Sequence, residues 1–307
     1  MVDWKVKAAV MKICDWLPFG GKIYKGIQKT IGRLDADPMS RIPLQIEIVK
    51  WLEKSGRRVN GMRVLEVGTG HLPIVPIGLF ICGALEVITV DLNRRLDWQL
   101  TAKALQWIAS NEECIYSLYG GIVSKQELDE RLGLIKSQKY QPENFCKLAN
   151  ITYLAPADAT KLNLPNESID LHLSVTVFEH IPRDILSGIM SEAKRLLTKD
   201  GVALHAIDLS DHFEHTDKSI PKINFLRFSD KQWKIIAGNQ FAYCNRLRAS
   251  DYLSIFRGQN WTIENVITEI DSGSVEVISS GWEFDKLFAE YKVDDLCTIT
   301  LWVLLIK

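Results

Sequence analysis

A glycine-rich turn between a short apolar strand and an apolar helix constrains this sequence more than any other feature. Residues 62–67 are typical of a β-strand and end at Gly68-Thr69-Gly70, shortly before an apolar helical segment. Glycines in this position let the backbone turn tightly and approach a ligand. A second, β-branched strand ends at Asp91, about twenty residues later, where a carboxylate can meet a ribose hydroxyl. The combination predicts a nucleotide-binding βαβ unit.

The alternation of strands and helices continues along the chain and predicts a doubly wound α/β fold. Strands are expected at residues 62–67, 85–90, 151–154, 169–175, 202–207, 261–270 and 297–306, and helices at 44–52, 74–83, 96–108 and 185–197. Such alternation implies parallel strands joined by helices. We predict a seven-stranded, mostly parallel sheet with helices on both faces. The helix at 185–197 is expected to close with a turn at residues 199–201.

Three segments lie outside this alternation and define the expected domain organisation. Residues 1–60 predict an N-terminal helical cap, broken at residues 18–21, and residues 61–307 form the main domain. Within that domain, residues 110–150 and 209–259 are predicted insertions. Ligands of open parallel sheets bind beyond the carboxyl ends of the strands. The second insertion follows the fifth strand, so we expect it to form a lid over the substrate.

Composition and charge exclude several classes of function. A formal net charge of -1 provides no overall basic field for nucleic acid. The six cysteines include no Cys-x-x-Cys pair, so we expect reduced thiols in a cytoplasmic protein. We expect neither a membrane span nor a signal peptide, because every apolar run is short or interrupted by charges. Lys5, Lys7 and Lys12 do not share one helical face, so the first helix is expected to pack on the protein.

The residues around the turn discriminate between classes of nucleotide. A dinucleotide site would require a glycine where Pro73 stands, and no Gly-Lys-Ser/Thr follows as in a phosphate-loop NTPase. Glu66 lies two residues before Gly68, and a carboxylate there suits a cationic cofactor without phosphate. A tight turn with a solvent-facing glutamate is the alternative, but it leaves Asp91 unexplained.

These motifs resemble, in order, those of the class I S-adenosylmethionine-dependent methyltransferases. The resemblance rests on residues 64–70, 90–92, 156–170, 174–181 and 194–202. It extends over residues 61–208, about half of the chain, and departs from the family at Leu72, where a glycine is common. The cofactor-binding residues that it implies are Glu66, Gly68, Thr69, Gly70, His71, Asp91, Leu92, Asp158, Ala159 and Ser174. In this family Asp91 would bind the ribose hydroxyls and Asp158 the adenine amine, with Ala159 beside the ring.

The remaining segments are similar to bacterial small-molecule or sugar methyltransferases, which implies S-adenosylmethionine as cofactor and a small molecule as acceptor. Residues 174–177 lack the Asn/Asp-Pro-Pro-Tyr/Phe segment of many amino-group methyltransferases, so a hydroxyl acceptor is favoured. N- or C-methylation and a non-catalytic methyltransferase-like subunit are the alternatives, and a nicotinamide oxidoreductase is a weaker one. The sequence does not indicate an oligomeric state.

Methylation of a hydroxyl needs a base of near-neutral pKa, and histidine suits that role. His71, His180, His212 and His215 are expected at the carboxyl edge of the sheet. We predict His212 as the base, oriented by Asp208 or Asp211, with His180 as the second choice. Residues 208–215 also contain metal-ligand types. Metal-assisted O-methyltransferases usually have an aspartate where Ser174 stands, so no metal is predicted.

Charged and amide side chains of the second insertion are further candidates for acceptor binding. Arg227, Asn245 and Arg246 could hold an anionic or hydroxylated acceptor, and a charged lid surface explains them equally well.

Overall fold

Helices and strands alternate in the computed structural model, which describes residues 2–30, 34 and 36–307. The helices are α1 (Trp4–Trp16), α2 (Gly20–Thr30), α3 (Ile42–Lys54), α4 (Ile74–Ile81), α5 (Trp98–Ser110), α6 (Glu112–Tyr119), α7 (Lys125–Gln138), α8 (Pro142–Leu148), α9 (Arg183–Leu196), α10 (Asp230–Ala237), α11 (Ala249–Gly258), α12 (Ser272–Ser279) and α13 (Val293–Leu296). The strands are β1 (Arg63–Val67), β2 (Glu86–Val90), β3 (Ile151–Leu154), β4 (Ile169–Val175), β5 (Leu197–Asp208), β6 (Thr262–Ile270) and β7 (Thr298–Ile306).

All seven strands belong to one sheet, in the order β3-β2-β1-β4-β5-β7-β6. β1 pairs in parallel with both β2 and β4, and β2 pairs in parallel with β3. Val64, Leu65 and Val67 of β1 are buried, as expected for a strand that has neighbours on both edges and is covered on both faces. The strand order confirms the predicted doubly wound fold.

The described residues cluster into two compact units. The first comprises the residues up to Thr30, Val175–Ser187 and His205–Val303. The second comprises the residues from 34 to Ser174, with Gly188–Leu204 and Leu304–Lys307. The segment that we expected to form an N-terminal cap contributes to both units, because α1 and α2 belong to the first and α3 to the second.

Each unit has its own apolar packing. In the first unit, α1 and the insertion after β5 share a core that includes Met11, Phe213, Phe225 and Trp233. No described helix has the length and apolarity to cross a bilayer. The cysteines are free thiols.

The predicted turn at residues 199–201 is wrong, because β5 already begins at Leu197 and runs through these residues. The Thr198 hydroxyl donates to Asp170 on β4 at 3.2 Å. A Cβ on Gly201 would lie 3.0 Å from the carbonyl oxygen of Ile169. Gly201 therefore serves close approach between strands rather than a reversal of the chain.

Gln45 of α3 is a buried polar contact among the helices of the second unit. Its Oε1 accepts a hydrogen bond of 2.9 Å from the Tyr119 hydroxyl, and its Nε2 lies 3.5 Å from Cys82 Sγ. The side chain fits only because residue 78 of α4 is glycine, since a Cβ on Gly78 would lie 2.5 Å from Gln45 Cδ.

Gly78→Ala should therefore lower the free energy of unfolding by about 1 kcal/mol, because overpacking outweighs the gain in helix propensity. Gly133→Ala on α7 is the matched control, since nothing lies within 4 Å of the added carbon. This control should raise the stability by about 0.5–1 kcal/mol. Urea denaturation measures both, and a stabilising Gly78→Ala would contradict the close contact with Gln45.

Candidate active site

The glycine turn that follows β1 adopts the conformation that its sequence predicts. Gly68 and Gly70 have φ angles of 93° and 69°, in the left-handed region that favours glycine. The main-chain N–H of Gly70 donates to Asp91 Oδ2 at 3.2 Å. The turn is thereby tied to the end of β2. Thr69 between the glycines is also buried.

Asp91 is held from a second direction by Tyr153, which the sequence analysis missed. The Tyr153 hydroxyl donates to Asp91 Oδ2 at 3.0 Å. Burial raises the pKa of Asp91, and the hydrogen bonds from Tyr153 and Gly70 counteract part of this effect. Tyr153 pairs in register with Thr89 of β2. This register between β2 and β3 places Tyr153 beside the strand that Asp91 follows. The periodicity of the sequence does not reveal the register.

Glu66 is 3% exposed, which excludes the solvent-facing alternative. Its register partner on β2 is Thr89, whose hydroxyl donates to Glu66 Oε2. The hydroxyl of Thr69 lies against that of Thr89, so the carboxyl group begins a short buried chain of hydroxyls. Burial raises the pKa of Glu66 to about 8. The side chain is therefore mostly a neutral acid near pH 7 in the free protein.

The other residues assigned to the cofactor occupy varied environments in the second unit. Asp158 is exposed and accepts hydrogen bonds from the main chain and hydroxyl of Thr160, which lower its pKa. Ser174 is fully buried and pairs with Val67 of β1. His71 Nδ1 lies 2.9 Å from the carbonyl oxygen of Arg95, and Leu92 is exposed. Ala159 is half-buried beside Asp158.

The three residues predicted for catalysis lie together in the first unit. His212 Nε2 is 3.4 Å from Asp208 Oδ2, and the rings of His180 and His212 are 4.9 Å apart between centroids. His215, which was considered only as an alternative, also approaches Asp208, at 3.7 Å. His180 follows β4 and Asp208 ends β5, so neighbouring strands of the sheet bring these side chains together.

Opposing effects set the protonation of the Asp208–His212 pair. Burial alone would lower the pKa of His212, but the contact with Asp208 outweighs it and leaves this pKa raised. Burial would raise the pKa of Asp208, but His212 and Ser210 hold it well below the usual range. Ser210 donates to Asp208 through its hydroxyl at 2.6 Å and its N–H at 2.9 Å. The pair is therefore an anionic carboxylate beside an imidazole that it stabilises in the charged form.

Glu179 is a second residue that the sequence analysis did not assign to the site. It lies in a short 3₁₀ turn, Phe178–His180, and is 1% exposed. Neither carboxyl oxygen meets a hydrogen-bond partner among the described residues. Burial raises its pKa to about 8, although the charge of His212 opposes this. One donor atom each from Glu179, His180 and His212 lie within 4.8 Å of one another, a spacing that one cation could span.

Asn245 fixes the turn that carries Glu179 and His180. Its side-chain amide donates to the carbonyl oxygens of Phe178 and Ile181, each at 2.8 Å. The main-chain N–H of Asn245 donates to the carbonyl of Glu179 at 2.8 Å. Asn245 therefore positions the site by holding the main chain of residues 178–181. This role is neither acceptor binding nor membership of a charged lid surface, the two that the sequence suggested.

The two arginines suggested for acceptor binding are also engaged within the protein. Arg246 is buried and donates to the carbonyl oxygen of Phe225 at 2.9 Å, with an ion pair to Asp230 at 2.6 Å. The guanidinium of Arg227 lies over the ring of Trp282, 5.7 Å from its centroid.

A small cavity of about 30 Å³ lies beside the histidines of the first unit. His180 and His212 line it, together with Lys7 and Met11 of α1 and Trp233 of the insertion. Lys7 Nζ also donates to the carbonyl oxygen of His212 at 2.9 Å. The first helix therefore contributes a wall beside the histidines and contacts the segment that carries one of them.

Comparisons with known proteins agree with this architecture. Residues 116–205 match the family described as a methyltransferase domain, a segment that includes Asp158, Ser174 and His180. No curated protein sequence matches the chain closely enough to count as a relative.

Three solved structures are similar to this chain. A proposed sarcosine dimethylglycine methyltransferase of Galdieria sulphuraria is 13% identical, with a TM-score of 0.51 over 92% of this chain and 96% of that one. An S-adenosylmethionine-dependent methyltransferase of Mesorhizobium loti is 14% identical, with a TM-score of 0.43 over 84% and 96%. Magnesium protoporphyrin IX methyltransferase of Synechocystis, solved with bound S-adenosylhomocysteine, is 14% identical, with a TM-score of 0.45 over 88% and 84%.

The strand order, the turn that ties Gly70 to Asp91 and the matched methyltransferase domain agree with one another. The chain therefore has the methyltransferase fold, and its residues 116–205 match a methyltransferase domain, a family that uses S-adenosylmethionine.

Proposed function

We propose that this methyltransferase methylates a hydroxyl oxygen of a small molecule. The observation that carries the proposal is the Asp208–His212 pair, with its contact of 3.4 Å beside a cavity that both His180 and His212 line. An alcohol is a poor nucleophile until its proton is removed, and a histidine oriented by a carboxylate is a common means of removing it. An acceptor with a free amine would not need such a pair.

The residues assigned to the cofactor fit a nucleoside that lacks phosphate. S-adenosylmethionine supplies a methyl group made electrophilic by a positively charged sulfur. The positive φ angles of Gly68 and Gly70 keep the turn open to close approach, and Asp91 presents a carboxylate at the end of β2. Asp158 is ionised and exposed, which suits a hydrogen bond to an adenine amine. No lysine lies in the segment 64–74, as would be expected if it bound a phosphate.

His212 takes the acceptor proton in this mechanism. In this proposal the proton of the neutral imidazole is on Nε2, which faces Asp208 Oδ2 at 3.4 Å, and the basic lone pair is therefore on Nδ1. Proton transfer to Nδ1 produces an imidazolium, which the adjacent Asp208 carboxylate stabilises. Ser210 holds that carboxylate in place through two hydrogen bonds. Asn245 keeps the neighbouring His180 turn fixed during the reaction.

Asp91→Ala and Gly70→Arg should each weaken cofactor binding by at least about tenfold, since the first removes charge-assisted hydrogen bonds and the second fills the turn. Isothermal titration calorimetry with S-adenosylmethionine and S-adenosylhomocysteine measures the change. Asp200→Ala is the matched control, because it removes an exposed carboxylate at the start of β5. Tight NAD binding with no affinity for either adenosyl compound would contradict the cofactor assignment.

Glu66→Gln should abolish a proton release that accompanies cofactor binding to the unaltered protein. Glu66 has a pKa of about 8, so most molecules carry its proton at pH 7. A cation bound nearby favours the ionised carboxylate, so a fraction of the protein molecules release this proton when the cofactor binds. Calorimetry at pH 7 in buffers of different ionisation enthalpy counts the protons. Equal release from protein and variant would show that Glu66 does not sense the cofactor's charge.

His212→Ala should lower turnover by about a hundredfold to ten-thousandfold while the cofactor Kd stays unchanged. Formation of S-adenosylhomocysteine with a panel of hydroxylated small molecules provides the rate. His215→Ala is the control, since it removes a neighbouring histidine that also approaches Asp208. If His180→Ala loses turnover and His212→Ala keeps it, the base is His180 instead. Full turnover in both variants would favour a nitrogen or carbon acceptor.

Dialysis against a chelator should leave the turnover of the unaltered protein unchanged, because the proposed step uses only side chains. The same rate assay measures the effect. A loss that Mg²⁺ or Zn²⁺ restores would instead show that a cation activates the acceptor, held by Glu179, His180 and His212.

A further inference from the structure

Helix α1 has two faces of opposite environment. Its inward face buries Ala8, Met11 and Cys14. Its outward face carries four apolar residues that recur at spacings of three, four and three, which we call the outward stripe: Val6, Ala9, Ile13 and Trp16. All are exposed. Residues at this spacing lie along one side of a helix. A solvent-facing side that is apolar throughout is unusual for a helix whose other side already packs on the protein.

The turn from α1 to α2 extends this apolar surface. Trp16 is 82% exposed and Phe19 is 75% exposed, with Leu17 between them also exposed. Phe19 has a φ angle of 63°, a left-handed conformation in which a bulky residue is uncommon. Asparagine or glycine would be favoured at such a position. A strained aromatic residue that contributes little burial to the folded chain indicates a role outside the chain.

Lysines border the apolar surface on both helices. Lys5 and Lys12 lie seven residues apart beside the outward stripe, and Lys22, Lys25 and Lys29 recur at spacings of three and four on α2. Residues 2–30 contain six lysines and two aspartates, a formal charge of +4, in a chain with a total of -1. Positive charge is therefore concentrated where the exposed aromatic residues lie.

We propose that the outward stripe, the turn through Phe19 and the bordering lysines bind the surface of an anionic lipid bilayer. Tryptophan is enriched at the interface between membrane and water, and amphipathic helices with lysine borders lie in that plane. A second copy of the chain suits this surface poorly, since a two-fold contact would oppose lysines to lysines. The inference is independent of the proposed acceptor.

Co-sedimentation with vesicles tests the proposal on the full-length protein. The protein should bind vesicles that mix phosphatidylcholine with phosphatidylglycerol, and should bind pure phosphatidylcholine at least about tenfold more weakly. Raised salt should release it. Equal binding to both vesicles, or binding to neither, would overturn the proposal.

Two double variants separate the apolar and charged contributions. Trp16→Ser with Phe19→Asn should reduce partitioning by about tenfold or more, since it removes two exposed aromatic rings. Lys5→Ala with Lys22→Ala should reduce it by about twenty- to thirtyfold, at about fivefold per lysine. Asparagine accepts the left-handed backbone of residue 19, so the first pair should keep its thermal stability.

The matched control is Lys139→Ala with Tyr140→Ser. This pair removes a lysine that lies over an exposed aromatic ring at 5.5 Å, as Lys22 lies over Phe19 at 5.6 Å, but on another part of the chain. Control and parent should sediment alike. Variants that bind vesicles like the parent would overturn the proposal, as would dimers in analytical ultracentrifugation that the aromatic substitutions dissociate.

Discussion

Parallel pairing of β1 with β2 and β4 determines where polar chemistry can lie in this protein. Hydrogen bonds between the strands pair the backbone N–H and C=O groups within the sheet. Because both faces of the sheet are covered, the side chains on these faces must be apolar. Side chains that must meet a ligand are therefore confined to the residues after the strands. The glycine turn follows β1 and Asp91 follows β2, and the 3₁₀ turn with His180 comes after β4. Each lies at the carboxyl end of its own strand, and ligands of open parallel sheets bind at such ends.

Two buried glutamates show how differently a fold can accommodate the same group. Burial raises the pKa of Glu66 and of Glu179 to about 8, because desolvation disfavours the charged form. The hydroxyl of Thr89 meets the carboxyl of Glu66, so that group belongs to the interior of the sheet. Glu179 lacks such a partner among the described residues and lies near a histidine instead. A buried carboxyl without a partner is costly, which makes Glu179 the more responsive of the two to a bound proton donor or cation.

Local patterns sufficed for much of the fold, because alternation and strand periodicity are properties of neighbouring residues. A contact of His212 with Asp208 or Asp211 could also be predicted, since residues so near in sequence are close in any compact conformation, and the structure selects Asp208. Tyr153 and Glu179 could not, because their roles depend on strand register and on a turn that Asn245 holds from far along the chain. The prediction for Gly201 was wrong for a related reason, because a glycine that permits close strand pairing looks the same in sequence as one that ends a helix. On α1, Lys7 faces the protein, away from Lys5 and Lys12, as the sequence predicted. The lysines that border the apolar surface could be recognised only once α2 was placed beside α1.

Lys7 has a consequence for how this enzyme can be shortened. The N-terminal helix looks dispensable in the sequence, since it precedes all of the motifs. Yet Lys7 donates to the carbonyl oxygen of His212, and Met11 lines the same cavity. A minimal catalytic fragment that starts at the first strand would open this cavity on one side and release the His212 main chain. Such a fragment would differ from the intact chain in the packing around His212.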